Sequence, residues 1–293
     1  MSAMIGTAKV VAARGSLVIV VVGAVVAAVW LLYQVPVWFA GNPKDAEPFR
    51  GSLVQLIGFG VAAAVAAYGI KKHYLDRDKQ YTDSYSAAVT KLGSTDTFLR
   101  AGGARELARI MHYSPADRTR AVETYADFLR LTTCAAGYVA AAPPAPDIEA
   151  VVAALRRRDP VRGEPAINLT RVQLPHADLH GAPLTGVDLS HATLTAASLA
   201  GADLTRADLR GALLNKTDLT RATLAGADLT GARLIGADLR GADLTGADLT
   251  DCTLKAADLR GTDLRRTLGL RREQWDTAIT DSATRAPEFD DPE

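Results

Sequence analysis

Five histidines and two cysteines are the side chains of this sequence best suited to nucleophilic or metal chemistry. His176 and His180 stand four apart, the spacing of a metal pair on a helix. That spacing loses its meaning here, because the surrounding residues follow a five-residue period, and both histidines then fall at corner or outward positions. No thiol or carboxylate set converges on them. Cys134 and Cys252 imply no disulfide framework. Cys252 occupies a slot otherwise held by small residues, which reads as core packing rather than redox chemistry. The sequence has no phosphate loop, no dinucleotide fingerprint and no nucleophile elbow. No catalytic, cofactor or metal site is assigned, and the chain is expected not to be an enzyme. Its 33 basic and 33 acidic residues cancel, which is no signature of nucleic-acid binding.

The remaining chemical groups are regularly spaced aspartates, and the period that spaces them organises the chain. Leucine stands at every fifth position from Leu169 to Leu264, 20 in register. The residue two before each is small or apolar, most often alanine, as in Ala202, Ala227 and Ala247. A period of five fits neither a helix nor an uninterrupted strand. It fits a short in–out–in strand followed by a two-residue corner, with Ala and Leu inward. Glycine recurs at the last position (Gly181, Gly201, Gly231, Gly241, Gly246), where it relieves backbone crowding. Corners of one hand wind the chain into a solenoid with coils ~4.8 Å apart. Leu169, Leu189, Leu209, Leu219, Leu229, Leu249 and Leu264 are representative of the expected core.

The units A-D-L-T-G at 242–246 and A-D-L-T-R at 202–206 resemble the pentapeptide-repeat family, whose unit is A-(D/N)-L-x-x. The resemblance covers about 166–268. It implies a right-handed, four-sided parallel β-helix, and at four units per coil the 20 units make about five coils. On that closure Asp188, Asp208, Asp228 and Asp248 stack on one face, and Asp218, Asp238 and Asp258 on another. Each precedes a corner by one residue, where its carboxylate can accept a backbone N–H two residues on.

Ahead of the repeats lie two uncharged runs. Residues 17–39 and 53–70 are each long enough to cross a ~30 Å hydrocarbon core and are read as a transmembrane hairpin. Lys9 and Arg14 precede it, and Lys71, Lys72, Arg77 and Lys79 follow it; the loop between holds Lys44 and Arg50. That bias places both termini in the cytoplasm of a multi-pass plasma-membrane protein, with 1–16 a cytoplasmic N-terminal segment. Small residues at four-residue spacing (Gly23, Ala27; Gly58, Ala62, Ala66) suit close helix packing.

Residues 71–134 form an expected cytoplasmic helical module. One helix passes through Tyr81, Tyr85, Ala88, Val89 and Leu92 and ends at Gly93. A second is capped by Asp96 and carries Leu99, Leu107, Ile110 and Met111 on one side, with Gly102-Gly103 implying a close neighbour. A third starts at Ser114-Pro115, with Val122, Tyr125, Phe128 and Leu129 inward. The module is similar to the helical segment before the repeats of membrane-anchored actinobacterial pentapeptide-repeat proteins. Residues 135–146 read as a linker and 147–165 as a capping helix begun by Asp147. Residues 269–293 read as a C-terminal cap, with Trp275 and Ile279 on one helical face, then a disordered acidic tail.

The functional expectation is a membrane-tethered, non-enzymatic scaffold or adaptor for an unidentified protein partner. The bilayer would be engaged through the two spans, and a second copy is another possible partner. Some members of the family act on DNA gyrase and topoisomerase IV as acidic DNA mimics, which is the alternative reading. Against it, residues 166–270 hold 12 Asp, no Glu and 11 Lys plus Arg, a near-neutral rod. A nucleic-acid partner is not expected. Sorting the repeats by face leaves one without aspartate, with Gln173, Thr193, Leu213, Arg233 and Thr253 in the slot before the leucine. Leu213 and Ile235 point outward there, bordered by Lys216, Arg233 and Lys255, and this face is the candidate protein-binding surface.

Overall fold

The computed structural model describes residues 47–160 and 163–287, with Trp30 and Phe289. It divides into two compact units, 1–79 and 80–293. The first expected span, 17–39, lies outside the described residues but for Trp30, as do segment 1–16 and the acidic tail but for Phe289. The second expected span falls within helix α1, Glu47–Leu92. Among the described residues no helix is long and apolar enough to cross a membrane.

In the larger unit α2 (Thr97–Tyr113), α3 (Pro115–Thr133) and α4 (Pro146–Arg156) pack on one another, and the last turns of α1 touch α2 at Gly103 and α3 at Thr124. Asp96 caps α2 as its sequence suggests, accepting from the backbone N–H groups of Phe98 and Leu99 at 2.7 and 3.3 Å. Tyr85, Ala88, Leu107, Ile110, Met111, Val122, Tyr125 and Leu129 are buried, and Phe128 is half-buried. Leu99 is 51% exposed and lies outside the core. Of the two glycines, only Gly103 marks a close approach: a Cβ there would stand 2.6 Å from Ala88 O and 2.7 Å from Leu92 N, whereas Gly102 faces open space.

Two expected caps are built differently. The hydroxyl of Ser114 makes no capping bond to α3 but donates to Asp117 Oδ2 at 2.7 Å. Asp147 is not the cap of α4. The helix starts at Pro146, one residue earlier, and the Asp147 carboxylate turns inward to accept from Arg100 Nε at 2.6 Å. An inward carboxylate at the first turn still suits the helix dipole, and the arginine of α2 supplies a stronger partner than a backbone amide.

The repeats form the expected solenoid, and parallel bridges give its register. Asn168 pairs with Asp188, Asp188 with Asp208, Asp208 with Asp228, and so on at intervals of 20 residues. Four pentapeptides therefore make one turn. Leu189 N donates to Asp208 O at 2.8 Å and Asp208 N donates to Val187 O at 2.9 Å, the pattern of a parallel ladder. Each of the 20 leucines in register from Leu169 to Leu264 is at most 1% exposed. Where Thr217 and Thr262 replace alanine inside, their hydroxyls donate to Leu194 O and Leu239 O at 2.7 and 3.1 Å, so neither hydroxyl is left unmet.

The corners are stricter than the sequence shows. The second residue after each leucine has φ between +53° and +72° throughout 171–261, at ten glycines and nine other residues, among them Arg171, His176, Ala196 and Arg206. Each corner closes with an N–H to C=O bond, for example Ala207 N to Leu204 O at 3.0 Å. Glycine is preferred there because only it takes that conformation without strain.

The module and the rod share one hydrophobic cluster rather than standing apart on a linker. Ile148, Val151, Val152 and Leu155 of α4 join Ile167, Leu169 and Val172 in it. Gln173 N donates to Thr133 Oγ1 at 3.1 Å, and Arg158 donates to Pro183 O at 2.8 Å. Residue 133 ends α3, so the cover of the first coil involves more than the single expected helix. At the other end α5 spans only Arg272–Trp275. Trp275 packs on the core, but Ile279 does not share a helical face with it: Ile279 pairs with Asp258, and Arg285 with Asp263, carrying the sheet on. The single-turn helix gives way to ladder bonds from Thr277 onward, where Thr277 O accepts from Ala256 N at 2.8 Å and Ile279 N donates to Ala257 O at 2.8 Å.

Candidate protein-binding face

Of the five candidate residues, Leu213 and Arg233 lie on neighbouring rungs of one face, and Lys216, Ile235 and Lys255 lie at the corner that borders it. Leu213 is bridged to Thr193 on one side and Arg233 on the other, and Arg233 to Thr253. Ile235 is the first corner residue after the strand that carries Arg233: Lys216 N donates to Ile235 O at 2.9 Å, and Gly236 N donates to Lys255 O at 3.0 Å. Ile235 N also donates to Asn215 Oδ1 at 3.2 Å. Leu213 and Ile235 are half-buried, while Lys216, Arg233 and Lys255 are exposed. The parallel register that aligns the leucines inside stacks Leu213 on Arg233 and places Ile235 level with Asn215 and Lys255, on rungs ~4.8 Å apart. Such a surface offers apolar contact edged by positive charge.

The other faces are acidic in composition but not in effect. Each outward aspartate accepts the backbone N–H two residues on, as Asp188 does from Ser190 at 2.9 Å and Asp248 from Thr250 at 2.9 Å. A further set is paired to arginine, which sequence reasoning overlooked. Arg210, Arg240, Arg260 and Arg265 each fold onto the aspartate two residues before, with contacts of 2.5 to 2.7 Å. Arg210 and Arg240 also reach the aspartate of the next coil, at 3.6 and 3.7 Å. Hydrogen bonds from these arginines hold Asp208, Asp238 and Asp258 below the usual carboxylate range. The repeated D-L-R triplet carried the signal, since residues two apart on a strand share a side.

His176 stands at a left-handed corner, while His180 Nδ1 lies 2.6 Å from Asp178 Oδ1 and 2.9 Å from Arg156. The two histidines thus serve different corners. Among the described residues no group of three His, Cys, Asp or Glu could hold a metal ion. Burial pushes the Cys252 thiol up to about 12, which keeps it protonated and unreactive at neutral pH.

The family model for pentapeptide repeats matches residues 167–190, 188–226, 202–241 and 227–266, the stretch that forms the rod. The chain belongs to the pentapeptide-repeat family. Members of this family wind as right-handed quasi-parallel β-helices, which supplies the hand of the rod. Among solved pentapeptide-repeat structures, HetL from the cyanobacterium Nostoc sp. strain PCC 7120, involved in heterocyst differentiation regulation, is 37% identical. The match covers 40% of this chain and 58% of HetL, with a TM-score of 0.24. A second pentapeptide repeat protein from Nostoc PCC 7120 is 32% identical over 40% of this chain and 86% of that one, at a TM-score of 0.23. QnrB1, a plasmid-mediated fluoroquinolone resistance protein, is 20% identical over 38% of this chain and 56% of its own, at 0.27. The chain thus spans somewhat over half the length of HetL and of QnrB1. No curated protein matches it.

Proposed function

We propose that this pentapeptide-repeat protein is a non-enzymatic scaffold that presents a β-helix of about five coils to another protein in the cytoplasm, tethered to the plasma membrane. The observation that carries the binding role is the acid-free ladder bearing Leu213, with Ile235 at its corner, among Lys216, Arg233 and Lys255. Apolar area framed by charge is the composition of a contact site. The tether rests on the uncharged runs 17–39 and 53–70 and their basic flanks. The similarity of 71–134 to the membrane-anchored actinobacterial type supports the same arrangement.

The alternative, a DNA mimic acting on gyrase or topoisomerase IV, needs an acidic rod. The arginine pairs on Asp208, Asp238, Asp258 and Asp263 weaken it, because a mimic must leave its carboxylates free for the enzyme's cations.

Crosslinking in native membranes tests the scaffold. Changing Leu213 and Ile235 together to Thr should leave the rod folded and remove a specific crosslinked partner. Retention of every partner at parental yield rules this face out. Topology is tested separately: a reporter after Glu293 should read cytoplasmic and a cysteine in loop 41–51 should label from outside. External labelling at the C-terminus would exclude a cytosolic partner.

A further inference from the structure

Three arginines from three elements line one cleft of the helical module, and none belongs to the rod. The cleft, of about 510 Å³, lies between α2, the start of α3 and the end of α4. Arg105 comes from α2, Arg118 from α3, and Arg157 is the C-cap of α4. Arg118 is fixed in place: its Nε donates to Met111 O at 3.1 Å and its Nη1 to Asp159 O at 3.1 Å, so Nη2 remains for a ligand. Arg105 and Arg157 are exposed, and neither makes an ion pair or side-chain hydrogen bond among the described residues. The carboxylates of Glu149 and Asp159 share the lining without an ion pair to these arginines. Ala108, Met111, Ala150 and Ala153 give the cleft an apolar side.

Arginines left unpaired beside available carboxylates hold their donors open for something else. We propose that this cleft binds a phosphate group, carried by a soluble monoester or by a lipid headgroup. A phosphate monoester presents three oxygens and nearly two charges, enough for forks from three separate elements, whereas one guanidinium already satisfies a carboxylate. Arg158, at the edge of the cleft, is not available, since Glu164 holds it at 2.5 Å. Three arginines against Glu149 and Asp159 leave only a small positive excess. Long polyanions therefore gain little here, and the ligand is held by directed hydrogen bonds. The alanine and methionine side accepts a short carbon body.

The test is calorimetric titration of the full-length chain in detergent at constant ionic strength. The probes are inorganic phosphate, glycerol 3-phosphate and dihexanoyl phosphatidic acid kept below its micelle-forming concentration. Saturable binding is expected. Arg105→Gln with Arg157→Gln should weaken it by about tenfold or more, with melting unchanged because both side chains are exposed. Arg109→Gln, exposed on the same helix but outside the lining, should bind as the parent. Ala150→Trp, which fills the cleft without changing its charge, should also lose binding. Dihexanoyl phosphatidic acid binding at least about tenfold tighter than glycerol 3-phosphate assigns a lipid headgroup; equal affinities assign a soluble monoester. No saturable binding of any probe overturns the proposal, as does an equal loss in Arg109→Gln.

Discussion

Arg100 Nε donates to Asp147 Oδ2 at 2.6 Å across 47 residues of sequence, and the Asp147 side chain is only 1% exposed. The pair clamps α4, which lies against the first coil, to the start of α2. Arg100 also donates to the carbonyls of Ser94 and Thr95, both at 3.1 Å, so one side chain binds the α1–α2 turn and α4 together. Removing one member of a buried pair strands the other, a loss on the order of 3–5 kcal/mol. Arg100→Ala should therefore melt well below the parent, and Arg100→Met with Asp147→Leu should recover most of the loss. Additive losses in the double variant would show that the pair is not a coupled unit.

The two neighbouring glycines of α2 should respond with opposite signs. Gly103→Ala drives a Cβ to 2.6 Å from Ala88 O and should destabilise the module. Gly102→Ala enters open space on a helix and should stabilise it by about 1 kcal/mol. Thermal melts of the two variants check this directly; a shared sign would mean that α1 and α2 are not in contact at Gly103.

Corner conformation gives a second pair of opposite signs. Gly231 has φ +66° with nothing within 4 Å of a built Cβ, so Gly231→Ala tests backbone strain alone. It should cost roughly 1–2 kcal/mol. Ala196, at φ 55°, already bears that strain, and Ala196→Gly should raise the melting temperature, by less than Gly231→Ala lowers it, because glycine loses more entropy on folding. A fall for Ala196→Gly would show that the corner imposes no strain on alanine.

The Asp–Arg pairs predict an acid limb. Asp208, Asp238 and Asp258 are held below their ordinary range, first by hydrogen bonds from Arg210, Arg240 and Arg260. A carboxyl whose folded pKa lies below its unfolded value of about 3.9 stabilises the fold fully above that value and loses the contribution as pH falls through the folded pKa. These pairs should leave stability flat from neutral pH to about pH 5 and lower it below about pH 4. Changing the three arginines to Gln should lower the melt modestly at pH 7, since their side chains are about half exposed. The variant should also lose stability less steeply in acid. An unchanged acid slope would mean that the arginines do not set these carboxyls.

The sequence alone determined the solenoid. Its information is local: leucine at every fifth residue, alanine two before it and a glycine-rich corner fix which side chains face inward within a single unit, from Leu169 to Leu264. The same locality made the Asx-type role of Asp188 and Asp248 and the cap at Asp96 legible. Closure at four units per coil could not be read from the period and came with the family resemblance; the Asp188–Asp208 bridge makes it visible. The tertiary structure decided what depends on distant partners. Asp147 looks like a helix cap until Arg100 stands beside it, because an aspartate near a helix start can accept from a backbone amide, and only the packing of α2 brings up the stronger guanidinium donor. Ile279 looks helical with Trp275 until the edge at Asp258 offers it a ladder. Gly102 and Gly103 are indistinguishable as letters, and only the path of α1 past one of them tells them apart. The clustering of Arg105, Arg118 and Arg157 likewise exists only once three helices have packed.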